Sequence, residues 1–266
     1  MKRSSIVCLS LGLLNAAPCL ALEPLKSYDT FSTAPINGAL WSDGERTMQI
    51  KGGVLTMTGR AFGSTASNSG FTYGAWRMRF ADASAVTEIK AKVTVTALEV
   101  NGCAANVDTV SQSRARINGS FYNFGTPVDG DETGDAIAQV RVTRFANSTD
   151  PTGVLQVQGL LVHCLNVDCN VSSVVQNVSL GTVTVGQAAT LEIQWDKPNK
   201  RFLFTRDAGA FTGTIAYTDN DSHSPGVPFK VLDLRSDFAN CIASSPLTGS
   251  VNASFDTVSV NRSAAP

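Results

Sequence analysis

Residues 86–98 read VTEIKAKVTVTAL, and their side chains alternate between apolar and polar. One side of an extended chain carries Ile89, Ala91, Val93, Val95 and Ala97, and the other carries Glu88, Lys90, Lys92, Thr94 and Thr96. Successive side chains of a strand point to opposite faces, so this stretch predicts a strand with one buried face in an antiparallel sheet.

The same period of two recurs along most of the chain. It is clear at residues 75–80, 114–121, 136–145 and 191–196, with further strands expected at 53–58, 154–164, 178–185, 201–206, 229–234 and 251–260. Turn residues such as Lys51-Gly52-Gly53 and Ser224-Pro225-Gly226 separate these segments. About twelve strands without a helical period predict one all-β domain, built as a two-sheet sandwich or, alternatively, a closed barrel.

The composition excludes several classes of protein. The chain has 266 residues, 21 Lys+Arg and 22 Asp+Glu, for a net charge of −1. That balance argues against a nucleic-acid partner held through phosphates, and an apolar content of 43% argues against disorder. Two histidines leave little room for a His-based catalytic or metal site.

The first residues have the pattern of a signal peptide. Lys2 and Arg3 precede an apolar stretch at residues 6–14 that is too short to span a bilayer. Cleavage is expected after Ala21, or alternatively after Ala17, which leaves a mature domain of residues 22–266. No later apolar run is long enough for a membrane span, so the sequence predicts a secreted or periplasmic protein.

Four cysteines remain after this cleavage, namely Cys103, Cys164, Cys169 and Cys241. An even number in an exported chain predicts disulfides, with three possible connectivities. One of them joins Cys164 to Cys169 across one hairpin end and leaves Cys103 to pair with Cys241. The alternative is a zinc site that includes His163, although a single C-x₄-C pair is an unusual zinc spacing.

Short motifs stand at both ends and at the three-quarter point of the chain. They are YDTF at 28–31 with ALW at 39–41 and GVLTM at 53–57, then TLEIQWD at 190–196 leading into RFLF at 201–204, and ASFDTVSV at 253–260. With these motifs the chain resembles the concanavalin A-like lectin/glucanase superfamily, in particular its secreted bacterial members. The resemblance implies a two-sheet antiparallel jelly roll whose last strand returns to pair near the start.

The superfamily often binds or cleaves polysaccharide on its concave sheet, but a fold alone does not confer that activity. Its retaining glucanases carry E-x-D-x-x-E or E-x-D-x-x-x-E on one strand, which places carboxylates on the same sheet face. Glu88 and Glu192 each have the wrong residue two places on, and Glu45, Glu99 and Glu132 lack an acidic partner at the right offset. The sequence therefore lacks the glucanase signature.

A set of basic residues lies on the polar side of several expected strands. Its members are Arg77 and Arg79, Lys90 and Lys92, Arg114 and Arg116, and Arg141. If the strands are neighbours, one face could bind a uronic-acid or sulfated polysaccharide, with Tyr122 stacking on a sugar ring. The alternative, favoured by how charged runs usually behave, is a solvated face.

An acidic turn, DGDETGD at residues 129–135, is a second candidate site. Asp129, Asp131 and Asp135 alternate around glycine as in the first half of a calcium loop, although Val140 stands where an EF-hand needs a glutamate. The alternative is an ordinary hairpin turn. Calcium is therefore the one cofactor that the sequence suggests.

The sequence favours a secreted, non-catalytic binding or surface module, with carbohydrate as the ligand class. One alternative is a polysaccharide hydrolase or lyase with an atypical site, and another is a structural envelope or matrix protein. Basic and acidic residues are separated along the chain, although the net charge is close to zero. Lys and Arg lie in pairs on the expected strands, while Asp falls largely in turns. This segregation predicts a basic sheet face and acidic loops.

Overall fold

The computed structural model describes residues 45–242 and 245–264, which form thirteen β-strands and two short 3₁₀ turns. The strands are β1 (Glu45–Lys51), β2 (Val54–Phe62), β3 (Phe71–Arg79), β4 (Glu88–Val100), β5 (Gln112–Asn123), β6 (Asp135–Phe145), β7 (Val154–Cys164), β8 (Ser172–Thr184), β9 (Ala188–Asp196), β10 (Arg201–Arg206), β11 (Phe211–Ala216), β12 (Lys230–Ala239) and β13 (Thr248–Val260). The 3₁₀ turns are η1 (Lys197–Asn199) and η2 (Arg262–Ala264). The expected signal peptide and the motifs at 28–31 and 39–41 lie outside the described residues.

The strands form two antiparallel sheets, which confirms the expected jelly-roll sandwich. The seven-stranded sheet has the order β1-β2-β13-β4-β9-β10-β11, and the six-stranded sheet has the order β3-β12-β5-β6-β7-β8. β13 pairs with β2, with Phe255 opposite Leu55, so the last strand does return to the start of the described fold. No helix within residues 45–242 and 245–264 is long and apolar enough to cross a membrane.

Alternation along β4 fixes which side of the strand meets the core. Ile89, Ala91, Val93 and Val95 are buried between the sheets, whereas Lys92 is exposed. The six-stranded sheet behaves differently, because β5 and β6 are buried on both faces over most of their length. Their inner face is apolar and packs in the core, and their outer face carries polar residues that are also removed from solvent.

Both expected disulfides are present. Cys103 pairs with Cys241 across 138 residues, and Cys164 pairs with Cys169 at the end of the β7–β8 hairpin. This pairing confirms one of the three connectivities. It leaves none of these four cysteines with a free thiolate for the zinc alternative.

Lys230 is a buried amine at the first residue of β12. Its side chain is 3% exposed, and its Nζ donates hydrogen bonds to the carbonyl oxygens of Ala83 and Ser120. The same nitrogen lies 4.2 Å from the centroid of the Phe121 ring. Burial lowers the pKa of Lys230 to about 7, because desolvation penalises the charged form.

Replacing Lys230 by methionine is expected to remove a pH dependence from the free energy of unfolding. Between pH 7 and 9 the unfolded chain binds more protons at this lysine, so wild-type stability rises with pH, by as much as about 2 kcal/mol. Urea unfolding at pH 7 and at pH 9 should show this component in the wild type and in the exposed-lysine control Lys92→Met. An equal rise in Lys230→Met would contradict the assignment.

Candidate functional site

The outer face of the six-stranded sheet forms a groove of about 820 Å³. Every strand of this sheet contributes to its lining. Thr109 and Val110 from the β4–β5 connection and residues 168–172 from the β7–β8 hairpin stand along its sides. Arg114, Arg116 and Arg141 on the groove floor are buried, whereas Arg79 and Lys92 of the expected basic set are exposed to solvent.

The strand register places polar residues in one row across five strands of this face. Arg77 lies opposite Asp233, Asp233 opposite Arg116, Arg116 opposite Arg141, and Arg141 opposite Gln158. Arg116 and Arg141 are 4% and 8% exposed, and Asp233 is fully buried. The groove floor is therefore a row of charged side chains that are themselves largely buried.

Asp233 neutralises part of this charge. Its carboxylate accepts two hydrogen bonds from Arg116, at 2.6 Å from Nε and 2.9 Å from Nη2, and lies 3.9 Å from Nε of Arg77. Burial alone would lower the pKa of Arg116, but the attraction of Asp233 outweighs it and raises that pKa. The pair is a bidentate Arg–carboxylate fork, the strongest geometry for such a contact.

Asp237 holds a second pair of arginines. Its two oxygens lie 2.6 Å from Nη1 of Arg114 and 2.7 Å from Nε of Arg235. Burial would raise the pKa of Asp237, but these two cations outweigh it and hold the value at about 2. Burial lowers the pKa of Arg114 to about 10, since Asp237 compensates only part of the lost hydration.

Arg141 stands apart because its hydrogen bonds go to neutral amide oxygens. Its guanidinium donates to Oε1 of Gln158 at 2.8 and 3.2 Å and to Oε1 of Gln112 at 3.1 Å. Burial, followed by repulsion from Arg114 and Arg116, holds the pKa of Arg141 well below its usual value. Arginine stays protonated in proteins, so this site favours the arrival of an anion.

Other polar atoms of the groove are buried without a hydrogen-bond partner in the part of the chain that the structure describes. They are Nε of Arg77, Nε of Arg114 and Oδ1 of Asn118. Buried polar groups are normally paired, so an unpaired group needs an explanation such as a ligand or water. These three atoms lie beneath the surface of the groove floor, so a ligand would reach them only through a bridging water or a side-chain movement.

The structure brings Arg77, Arg114, Arg116 and Arg141 of the expected basic set into one groove. Arg79 is exposed on β3 and does not line it. Lys90 and Lys92 belong to the other sheet, where Lys90 lies 3.4 Å from Glu192. The basic set therefore divides between the two sheets. Four of its arginines line the candidate site, and its two lysines lie on the other sheet.

Tyr122 is a correction to the sequence analysis, because it does not reach the groove. A register shift between Ser120 and Tyr122 interrupts the alternation of β5, and Tyr122 is fully buried in the core. Its hydroxyl donates to Asp219 at 2.7 Å, and its ring stacks on Tyr217 at 4.9 Å. A sugar in the groove cannot stack on it.

Two other aromatic residues line the groove instead. Phe71 and Tyr73 on edge strand β3 are 40% and 43% exposed, and the guanidinium of Arg235 lies 4.1 Å from the centre of the Tyr73 ring. The sequence held a signal for Tyr73, since alternation runs back from Arg79 and Arg77 through Ala75 to this residue. The sequence predicts a strand at residues 75–80, whereas β3 begins at Phe71 and so includes Tyr73.

Among the described residues, the carboxylates of Asp129, Asp131 and Asp135 do not form a group whose oxygens all lie within 4.8 Å of one another. Asp131 accepts a hydrogen bond from the backbone N–H of Thr133 at 2.7 Å. Asp135 is buried and accepts from the N–H groups of Gly226 and Val227 and from Asn123. Calcium binding at Asp129, Asp131 and Asp135 stays a prediction, which thermal unfolding with calcium and with a chelator would test.

No protein-family model matches the chain, and no curated protein matches it significantly. Among solved structures it is similar to a family 7 alginate lyase A1-II′, at 16% identity over 84% of each chain with a TM-score of 0.41. It is also similar to a legume lectin-like domain from Entamoeba histolytica, at 12% identity over 82% of this chain and 89% of that one with a TM-score of 0.37. A third is the Ruminococcus gnavus IT-sialidase CBM40, at 13% identity over 76% and 94% with a TM-score of 0.33. At these identities and TM-scores the likenesses carry no argument about the function of this chain.

Proposed function

We propose that the protein is an extracellular or periplasmic binding module that holds an acidic polysaccharide in the arginine groove. The observation that carries this proposal is Arg141, a buried cation with neutral hydrogen-bond partners among the described residues. An isolated buried charge is costly unless an opposite charge pairs with it. A ligand carboxylate or sulfate would supply that charge.

Cations outnumber acids on the groove floor. Five arginines, Arg77, Arg114, Arg116, Arg141 and Arg235, line the groove together with Glu132, Asp168 and Asp237, and the buried Asp233 pairs with two of them, so five cations face four acids. The planar guanidinium binds carboxylate and sulfate through two parallel hydrogen bonds, and it does so best where water is excluded. The excess cation is Arg141, which has no carboxylate partner in the described part of the chain, so the floor suits an acid group of a ligand at this residue.

The length of the groove favours a polymer over a small anion. The lining extends from β3 at one edge of the sheet to β8 at the other. Adjacent strands are about 4.8 Å apart, so five intervals span roughly 24 Å. The exposed rings of Phe71 and Tyr73 lie at one side of this path and offer faces to a sugar. The two disulfides are consistent with an extracellular or periplasmic location.

Affinity electrophoresis over a panel of polysaccharides tests this function. Migration is expected to slow in gels that contain a polyuronate or a sulfated glycan and to stay unchanged in gels with a neutral glucan. Lys92→Ala removes an exposed cation from the other sheet and should migrate through each gel as the wild type does. Equal migration of the wild type in all gels would refute the proposal, and release of new reducing or unsaturated ends would replace binding with catalysis.

A further inference from the structure

The loop at residues 165–171 connects β7 to β8 and forms one side wall of the groove. Asp168, Cys169, Asn170 and Val171 from this loop are among the groove-lining residues. Asp168 and Asn170 are exposed, and Oδ1 of Asn170 accepts a hydrogen bond from Nδ2 of Asn166, which orients the Asn170 amide. The wall therefore presents a carboxylate and an amide beside a floor of arginines.

Few apolar contacts hold this loop in place. Leu165, Val167 and Val171 are each about half exposed, so none of them anchors the loop in the core. Cys164, by contrast, is fully buried and packs with Ile137, Phe229 and Val231 on the groove side of the sheet. The Cys164–Cys169 disulfide ties the outer part of the loop to that anchor.

Hydrogen bonds complete the attachment of the loop. The N–H of Glu132 donates to the carbonyl of Val167 at 3.0 Å, and the N–H of Leu165 donates to the carbonyl of Val171 at 2.9 Å. Cys169 itself has a φ of 49°, in the left-handed region that non-glycine residues seldom adopt. A covalent bond at this residue holds the chain in the turn that presents Asp168 and Asn170 to the groove.

The chemistry of the wall complements that of the floor. Arginine side chains donate hydrogen bonds and accept none. A sugar hydroxyl accepts hydrogen bonds but also donates one, and for that bond it needs an acceptor on the protein. A carboxylate such as that of Asp168 is a strong acceptor but repels an acid group. The floor is therefore suited to the acid groups of a ligand, and the wall to its hydroxyl groups.

We propose that the loop closed by Cys164–Cys169 is the hydroxyl-recognition wall of the groove, with Asp168 and Asn170 as the specificity residues. In this proposal the disulfide is a positioning element, which sets the wall against the arginine floor. The inference rests on the proposed function, since it presupposes a glycan in the groove. It adds that this loop allows the protein to bind acidic sugars in preference to other polyanions.

Two polyanionic probes separate the contribution of the wall to binding from that of the floor. One is a uronic-acid hexasaccharide, and the other is tripolyphosphate, which has no sugar hydroxyls. For Asp168→Ala combined with Asn170→Ala, calorimetry should show hexasaccharide affinity reduced by roughly tenfold or more, as for loss of a charge-assisted hydrogen bond. Tripolyphosphate affinity should not fall in this variant. Glu99→Ala, which removes an exposed carboxylate from β4 of the other sheet, should match the wild type with both probes.

The combined variant Cys164→Ala and Cys169→Ala tests the positioning role of the disulfide. It is expected to keep the far-ultraviolet circular dichroism of the wild type while losing hexasaccharide affinity selectively, as the Asp168/Asn170 variant does. Unchanged hexasaccharide affinity in the Asp168/Asn170 variant would overturn the inference while leaving the proposed function intact. Absence of hexasaccharide binding by the wild type would overturn both. The Asp168/Asn170 variant decides the question even if the cysteine variant fails to fold.

Discussion

Replacing Asp233 by asparagine is expected to lower the free energy of unfolding by about 3–5 kcal/mol, the usual effect of breaking a buried ion pair from one side. The carboxylate is fully buried, accepts two hydrogen bonds from Arg116 and lies 3.9 Å from Arg77. Asparagine preserves its shape but leaves two cations without a counter-charge. Urea unfolding at neutral pH measures the loss.

Two further variants separate the effect of charge from that of shape. Asp108→Asn neutralises an exposed aspartate and is expected to change stability by less than about 0.5 kcal/mol. Asp233→Leu combined with Arg116→Met removes both charges and should regain much of the loss, because apolar replacements of a buried pair are often well tolerated. A loss at Asp233→Asn no larger than that at Asp108→Asn would contradict the buried ion pair.

Replacing Arg141 by methionine is expected to raise stability while weakening ligand binding. The variant removes a buried cation whose hydrogen bonds go to Gln112 and Gln158, so unfolding should require about 1–2 kcal/mol more. Affinity for an acidic oligosaccharide should fall roughly tenfold to 100-fold, the range for losing charge-assisted hydrogen bonds. Calorimetric titration and urea unfolding of the same preparation measure both changes.

This opposition between stability and function is the signature of a residue retained for binding. Arg79→Met removes an exposed arginine that does not line the groove, so it should leave both quantities near their wild-type values. A destabilised Arg141→Met with unchanged affinity would identify Arg141 as a structural residue.

Much of the fold could be predicted because period-two alternation reports directly on burial. The stretch at 86–98 predicted which face of β4 is buried, and Ile89 and Val93 lie there. The bulge in β5 could not be predicted in the same way. Alternation predicts Tyr122 on the polar face of the strand, whereas the register shift between Ser120 and Tyr122 leaves both Phe121 and Tyr122 buried.

The candidate site was only half visible in the sequence, because strand order brings distant residues together. Arg116 was noticed from its own strand, but its partner Asp233 comes 117 residues later, on a strand inserted between β3 and β5. The alternation of apolar and polar residues places the arginines on the polar face of the sheet, but it does not indicate whether that face is exposed to solvent or recessed in a groove. That difference depends on walls such as the disulfide loop, whose position no local pattern encodes.

In the proposed function, the arginine groove binds the acid groups of a polysaccharide. The most direct test of this binding is calorimetric titration of the wild type with a polyuronate oligosaccharide and with the same oligosaccharide after methyl esterification, at two salt concentrations. Binding is expected for the free acid, should weaken as salt screens the charges, and should be lost for the ester. Equal affinity for acid and ester, or no binding of either, would contradict the proposed function.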